Sequence, residues 1–453
     1  MRTIYKGINL LFILFSSIVI QAQPIKLVTL DPGHFHAALV QKSMYPEMDA
    51  TVHVYAPKGT DLQLHLDRIA NYNTRKDNPT QWKEVIYSGD DFFQSMLKEK
   101  KGNLVVLAGN NQLKTDYIVS SINKGFHVLS DKPMAIDANG FKKLKTAFDA
   151  AKKNKVQLYD IMTERYEITT QLQKAFSMEE EVFGTLEKGS PTDPSVTKIS
   201  VHHFYKYVSG NVLTRPSWYF DTKQQGAGIV DVTTHLVDLI QWACFPDQII
   251  DYKKNVVVLI AEEWNTSITP EEFKVVTKEK EIPSFLKNTV DPAGKLQIKS
   301  NGSFTFTING VHAKVGVTWN YKAPDGTGDT HYSLMRGSKA SLIIKQGKEE
   351  NYKPTLYIEQ RVTDPKFEDK LQTALEKINK QFPGIQLHKN NNGWQVVVPE
   401  KYNDGHEAHF AQVMKKYLEY LQQNNMPEWE VPNMLSKYYI TTAAKKLASA
   451  KKS

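Results

Sequence analysis

Between residues 25 and 160, short apolar runs alternate with stretches of helical period. Runs at 25–30, 52–56, 104–108, 127–130 and 156–159 have the length and β-branched content of buried strands, with a weaker run at 84–87. Residues 116–124 and 138–153 space their apolar positions for helices. This rhythm predicts βαβ units and a parallel, doubly wound sheet over 24–160. Such sheets gather ligands beyond the carboxyl ends of their strands, where the strand order reverses. From about residue 195 the period changes to two. Phe304, Phe306 and Ile308 alternate with polar residues, Asn309-Gly310 supplies a two-residue turn, and Val311, Ala313, Val315, Val317 and Trp319 continue the alternation. A type I′ turn opposes Ile308 and Val311, so both apolar sets share one face. That predicts an antiparallel sheet covered on one side. Residues 199–207, 256–261 and 340–345 read as further strands. Residues 262–296, rich in Lys, Glu and Pro without clear period, read as a surface insertion, and 404–424 and 434–449 as closing helices. The predicted chain is α/β: a doubly wound parallel domain, then an α/β domain over 161–453 with a large, mostly antiparallel sheet.

Composition narrows the class. A chain of 453 residues suits two domains, and 41% hydrophobic with 23% charged residues describes a soluble globular protein. The net charge of +8 raises nucleic acid as a partner. The lysines are scattered among glutamates, with Lys-Lys pairs at 100–101, 142–143 and 152–153 on predicted polar helix faces, which argues against it. Residues 1–23 read as a signal peptide: Arg2 and Lys6 precede an apolar run, Ile8 to Ile20, too short to span a bilayer comfortably, and cleavage falls near Ala22 or Gln23. No later segment is apolar enough to be transmembrane. The expectation is a soluble, exported, periplasmic protein. The single Cys244 excludes an internal disulfide and reads as a buried helix thiol.

The candidate chemistry centres on residues 226–242. Wound as a helix, Asp231, His235, Asp238 and Trp242 share one stripe, while Ile229, Val232, Leu236, Leu239 and Ile240 cover much of the rest. Burying three ionisable groups is costly unless they face one another or a ligand. Gly226 and Gly228 read either as a loose helix start or as a place where a ligand approaches backbone. His202 and His203, adjacent on a predicted strand, should face opposite sides. His34 and His36 near Asp31 resemble a metal pair without further clear ligands, so no metal is assigned. His406 and His409, with Glu407, read as helix-start residues.

Val128-Leu129-Ser130-Asp131-Lys132-Pro133 closing the first domain, followed by the Gly-Ala-Gly…Asp231…His235…Asp238 segment in the second, resembles the Gfo/Idh/MocA oxidoreductases. In that family Glu-Lys-Pro follows the fifth strand of a Rossmann domain, and a helix bearing Asp-x-x-x-His packs toward the nicotinamide. Here Asp131 replaces the Glu. Asn110-Asn111 and Glu164-Arg165-Tyr166 sit where the family places matching elements, and Lys114 stands where the family often has His. The resemblance implies NAD or NADP, bound by Asp31, Gly33, His34, Phe35, His36, Asn110, Asn111, Asp131 and Lys132. The first turn departs from G-x-G-x-x-G, reading Asp31-Pro-Gly33-His34-Phe35-His36-Ala. The second strand ends Tyr55-Ala56-Pro57-Lys58 without an acid for the ribose. Lys58 is either a contact for a 2′-phosphate or a solvated surface lysine.

The resemblance also implies roles. His235 would take the proton of the reacting hydroxyl, Asp231 would orient it, and Lys132 would stabilise the developing oxyanion. Arg165, Tyr166 and Trp218 are expected sugar contacts. The alternative for His235 is a core histidine bonded to Asp231 or Asp238. Outside the cytoplasm no abundant free dinucleotide pool carries electrons away, so the enzyme is expected to retain its cofactor. Transient oxidation followed by elimination, water addition and re-reduction would then cleave a glycoside without net redox change. Two alternatives remain on this sequence: a cofactor-independent keto-sugar lyase or hydratase on the same fold, and a non-catalytic carbohydrate-binding protein. The resemblance also implies that the exposed face of the antiparallel sheet could pair protomers in a homo-oligomer.

Overall fold

The computed structural model describes residues 24–208 and 210–450, so the expected signal peptide lies outside the described residues. Six strands, β1 (Leu27–Leu30), β2 (Thr51–Ala56), β3 (Lys83–Ser88), β4 (Leu104–Leu107), β5 (His127–Ser130) and β6 (Leu158–Asp160), form a parallel sheet in the order β3-β2-β1-β4-β5-β6. This is the doubly wound order, whose switch point lies between β1 and β4. Every residue of β1 and β4 is buried, as continuous Leu/Val runs demand when helices cover both sheet faces.

The second sheet has nine strands in the order β10-β11-β12-β7-β13-β14-β15-β17-β16. Its strands are β7 (Val196–Tyr205), β10 (Val256–Ile268), β11 (Leu296–Ile308), β12 (Val311–Lys322), β13 (Thr330–Arg336), β14 (Ala340–Lys345), β15 (Thr355–Gln360), β16 (Gln386–Asn390) and β17 (Gly393–Val397). Two short strands, β8 (Tyr207–Val208) and β9 (Asn211–Val212), pair beside it. The expected hairpin is present with Ile308 opposite Val311. One internal pair, β12 with β7, is parallel, because the chain leaves β7 for the whole of the site before returning. Phe304, Phe306 and Val315 of the covered face bury against Leu236, Val237 and Ile240 of the helix Thr233–Cys244. Each such side chain contributes ~1.5–3 kcal/mol.

The structure corrects three expectations. Residues 262–296 are not a loose insertion: β10 continues to Ile268, and Thr269 and Glu272 close a capping box over the helix Pro270–Thr277. Phe273, Val276 and Leu286 bury there against the cluster that includes Phe220 and Trp319. The closing helices His406–Gln423 and Glu430–Ala450 do not belong to the second domain alone. Phe410, Val413, Tyr417 and Tyr438 join the core of the first domain, while Ile440, Ala444 and Ala448 join that of the second. The helix of the Asp/His stripe starts at Thr233 rather than Gly226, preceded by the short 3-10 turn Gly228–Val230, and Asp231 sits at the break between them.

The glycines before that break serve packing. A side chain at Gly228 would collide with the carbonyl oxygen of Ser300 on β11, so this turn lies directly on the sheet. Gly228→Ala should therefore destabilise the protein by about 1–3 kcal/mol or more through forced backbone movement. Urea denaturation measures it, and an unchanged midpoint would show that the turn is free to lift off.

Candidate active site

Lys132 follows β5 and Asp231 precedes the helix Thr233–Cys244, so their meeting depends on how the two domains dock. Lys132 Nζ donates to Asp231 Oδ1 at 2.6 Å, with both side chains largely buried. Burial opposes the charge on Asp231, and the Lys132 ammonium outweighs it, holding the carboxyl below its usual range. The second carboxylate oxygen accepts from Gln225 Nε2 at 3.2 Å. Asp231 thus orients Lys132 and not His235, a correction to the expected pairing. His235, one turn on, lies in the field of Lys132, and burial, with Lys132 adding to it, pushes its imidazole down to about 4. Its Nδ1 is buried without a hydrogen-bond partner. At neutral pH His235 is therefore uncharged.

Asp238 separates from this group. Arg165 forks onto it, Nε and Nη2 each 2.7 Å from a different carboxylate oxygen, and Arg165 Nη1 reaches Glu430 at 2.9 Å. Lys437, fully buried, bridges Asp238 at 2.7 Å and Asp160 at 2.8 Å. Arg165, expected as a sugar contact, is held instead as an anchor, its Nε, Nη1 and Nη2 all engaged by buried carboxylates. Tyr166 packs at the edge of the first domain's core. Trp242 carries Lys174 over its ring at 4.0 Å.

The first turn is built differently from a glycine turn. Asp31 adopts positive φ, Gly33 follows, and His34 Nδ1 and His36 Nδ1 both approach Asp131 Oδ2, at 3.2 and 3.0 Å. Burial lowers both imidazoles below their ordinary value. Lys114 Nζ donates to the Asp131 carbonyl at 3.2 Å, and burial pushes that ammonium down to about 8. A Cβ on Gly33 would stand 2.8 Å from Asp61 Oδ2 and 3.0 Å from Trp218, so the bare glycine lets both side chains close over the turn. A cavity of about 260 Å³ lies beside it, past the ends of β1 and β2, lined by Asp31, Lys58 and Asp61 among others. Asp61 supplies the acid missing at the strand end. The sequence hides it because it comes after the turn Pro57–Thr60, inside the helix Thr60–Thr74. Trp218, expected as a sugar contact, donates from Nε1 to Asp61 at 2.7 Å, which places this indole beside the first turn.

Asn110 and Asn111 clasp the second domain. Asn111 donates from its backbone to Gln224 O at 2.9 Å and from Nδ2 to Gln225 O at 2.7 Å, and Asn110 Nδ2 reaches Gln224 Oε1 at 2.8 Å. They set Gln225, hence Asp231, hence Lys132. A larger cleft of about 1090 Å³ opens between the domains, lined by Phe35, Lys42, His203, Lys206, Asp329 and His406 among others. Lys132 and His235 are not among its lining residues. His406, on its wall, has Nδ1 3.2 Å from Glu164, and the charges of both act on His235. His202 and His203 do not diverge as expected: both Nδ1 atoms lie 3.1 Å from Asp329, joined by Lys206. The carboxylate arrives on the loop before β13, a partner invisible to strand alternation. No helix among the described residues is long and apolar enough to cross a membrane.

Comparison with known proteins bears on this geometry. Residues 172–449 match the family described as "Putative oxidoreductase C terminal domain", and residues 36–160 match "Oxidoreductase family, NAD-binding Rossmann fold" (Gfo/Idh/MocA). The second match begins at His36, beyond the unusual turn. A crystal structure from Parabacteroides merdae ATCC 43184, described as a "putative oxidoreductase", is 53% identical, with a TM-score of 0.92 over 94% of this chain and 98% of that one. A Thermotoga maritima structure described in the same words is 16% identical (TM-score 0.60, 94% and 98% covered). A levoglucosan dehydrogenase in complex with NADH and levoglucosan is 13% identical (TM-score 0.59, 94% and 98% covered). The last two show a shared fold. No curated protein matches the chain.

Two measurements test the electrostatics. In histidine-resolved NMR, His235 should titrate near 4, and Lys132→Met should move it upward, because the ammonium is the largest charge acting on it after burial. A titration unmoved by that change would separate the two groups. Lys437→Met should cost about 3–5 kcal/mol in urea denaturation, because Asp160 would lose its countercharge and keep only the Tyr438 hydroxyl, facing an Asp238 held by Arg165 alone. A loss below 1 kcal/mol would refute the anchoring role.

Proposed function

The chain belongs to the Gfo/Idh/MocA oxidoreductases, and from that membership we propose that it acts on a carbohydrate or glycoside with a nicotinamide dinucleotide that it retains. The observation carrying this reading is the Lys132–Asp231 pair at 2.6 Å across the domain boundary, with an uncharged His235 one turn away. The residues at the nucleotide end fit the cofactor: Gly33 keeps the first turn bare beside a cavity lined by Asp31, Lys58 and Asp61, and Asp61 offers a carboxylate to ribose hydroxyls. An acid at that position favours NAD over a cofactor bearing a 2′-phosphate. When bound, the cofactor supplies reversible hydride acceptance.

The protein's own residues supply the rest. Lys132 donates a hydrogen bond to the reacting oxygen and stabilises its negative charge. The uncharged His235 imidazole receives the hydroxyl proton on its unprotonated ring nitrogen. A base held near 4 still suffices, because the hydroxyl becomes strongly acidic as hydride departs, and its free form is the only one present at neutral pH. Asp231 is a positioning residue, acting through Lys132. For a glycoside, transient oxidation acidifies the neighbouring C–H, and elimination, water addition and re-reduction give cleavage without net redox change. The levoglucosan dehydrogenase likeness supports a sugar substrate. The charged-then-apolar residues 1–23 support export to the periplasm. The outer sheet face, with Val257, Ile260 and Trp264 exposed, is the surface on which copies would pair.

One observation favours a second reading, a cofactor-independent keto-sugar lyase or hydratase: imidazoles of His34 and His36 occupy the turn where glycines ordinarily meet a diphosphate. Denaturing natively purified protein and measuring released nucleotide separates the two. The leading reading expects NAD in the supernatant, and loss of about 10²–10⁴-fold in turnover in His235→Ala with folding intact. Protein that carries no nucleotide and binds none at millimolar concentration would overturn it.

A further inference from the structure

The His34–His36–Asp131 cluster has a geometry that the hydride-transfer reading leaves unused. His34 and His36 bring the same ring nitrogen, Nδ1, to one oxygen of one buried carboxylate, at 3.2 and 3.0 Å. The three ligand atoms lie within 4.8 Å of one another. Two imidazoles on one carboxylate oxygen would ordinarily be read as two N–H donors. The His36 contact meets that description. The His34 contact does not: its Nδ1 is buried and makes no hydrogen bond, although the oxygen is near. A buried nitrogen close to an anion but misaligned for donation is placed as a ligand atom would be.

We propose that His34, His36 and Asp131 form a three-ligand site for a borderline divalent cation of the zinc type, with a further position open to an oxygen ligand. The donor set is two imidazole nitrogens and one carboxylate oxygen, the mixture that zinc and its neighbours select over calcium or magnesium. A cation ~2.0–2.1 Å from each atom would make N–M–O angles of about 95–105° at the observed separations, a few tenths of an ångström from tetrahedral. Burial keeps both imidazoles unprotonated near neutrality, as ligation requires.

The surrounding charges permit it. Lys132 is the nearest opposing cation, and Asp231 neutralises it at 2.6 Å. Lys114 contacts the backbone carbonyl of Asp131 rather than its carboxylate, and burial has already brought that ammonium down to about 8. His406 stands on the far side, its ring centroid 6.2 Å from that of His36, and is itself turned to Glu164. The site adjoins the Lys132–Asp231 pair but stands whether or not that pair performs hydride-linked chemistry.

The test uses the full chain with any affinity tag removed. After chelation and dialysis, isothermal titration with Zn²⁺ should show one equivalent bound, and Co²⁺ should develop the visible d–d bands of a low-symmetry nitrogen–oxygen site. His36→Asn and Asp131→Asn should each weaken binding by roughly a hundredfold or more, since loss of a ligand costs at least what loss of its supporting partner does. Circular dichroism of each variant without metal reports whether it folds, and the wild-type titration stands independently of the variants. Absence of binding to the wild-type chain, or binding that both folded variants retain, would overturn the assignment and leave the cluster a hydrogen-bonded carboxylate.

Discussion

Everything in the site depends on a group of charges buried far from water between the two sheets. Asp160 ends β6, Arg165 begins the crossing to the second domain, Asp238 projects from the helix Thr233–Cys244, and Glu430 and Lys437 come from the last helix. Taking such ions out of water costs several kcal/mol each, and only close, multiple partners offset it. The arrangement meets that condition: Arg165 is forked, Lys437 is bridged, and Tyr438 donates a further hydrogen bond to Asp160 at 2.9 Å. The result is weak as a source of stability and strong as a specification. Only one docking of the helix satisfies all members, and that docking fixes where Asp231 and His235 emerge.

From this anchor the site follows as a relay of short contacts. Asn111 holds Gln225, Gln225 holds Asp231, and Asp231 holds Lys132, the first and last links crossing from one domain to the other. The Lys132–Asp231 pair is formed before substrate arrives, so its orientation is set in advance. That is the condition under which a fixed charge lowers a barrier most. His235 completes the set by being kept neutral, a consequence of burial and of a cation nearby.

Much of this was legible in the residues. The β-runs of 25–160 and the Ile308–Val311 hairpin gave both sheets, because their periods differ and each period implies one kind of burial. Asp231 and His235 could be singled out because charge on an apolar helix is expensive, and Lys132 because the family resemblance points to it. What was hidden shares one cause: partners distant in sequence. Asp238 and Arg165 read as site residues until Lys437 and Glu430 are seen beside them. Asp61 escapes notice because an intervening turn carries it back to the end of β2. His202 and His203 seem to diverge until Asp329 reaches both. Only the capping box at Thr269 and Glu272 was local and still missed, its signal submerged in the charged stretch around it.

The position of Lys437 has a consequence for biogenesis. Chains emerge and condense from their amino ends, and early domains generally fold as they appear. Here the cation that bridges Asp160 and Asp238 is synthesised after both, and after the strands of both sheets. Until it arrives, Asp160 lacks its countercharge where the halves of the chain must join, and Asp238 has only Arg165. The two halves therefore lock in their final register only once the last helix has been made.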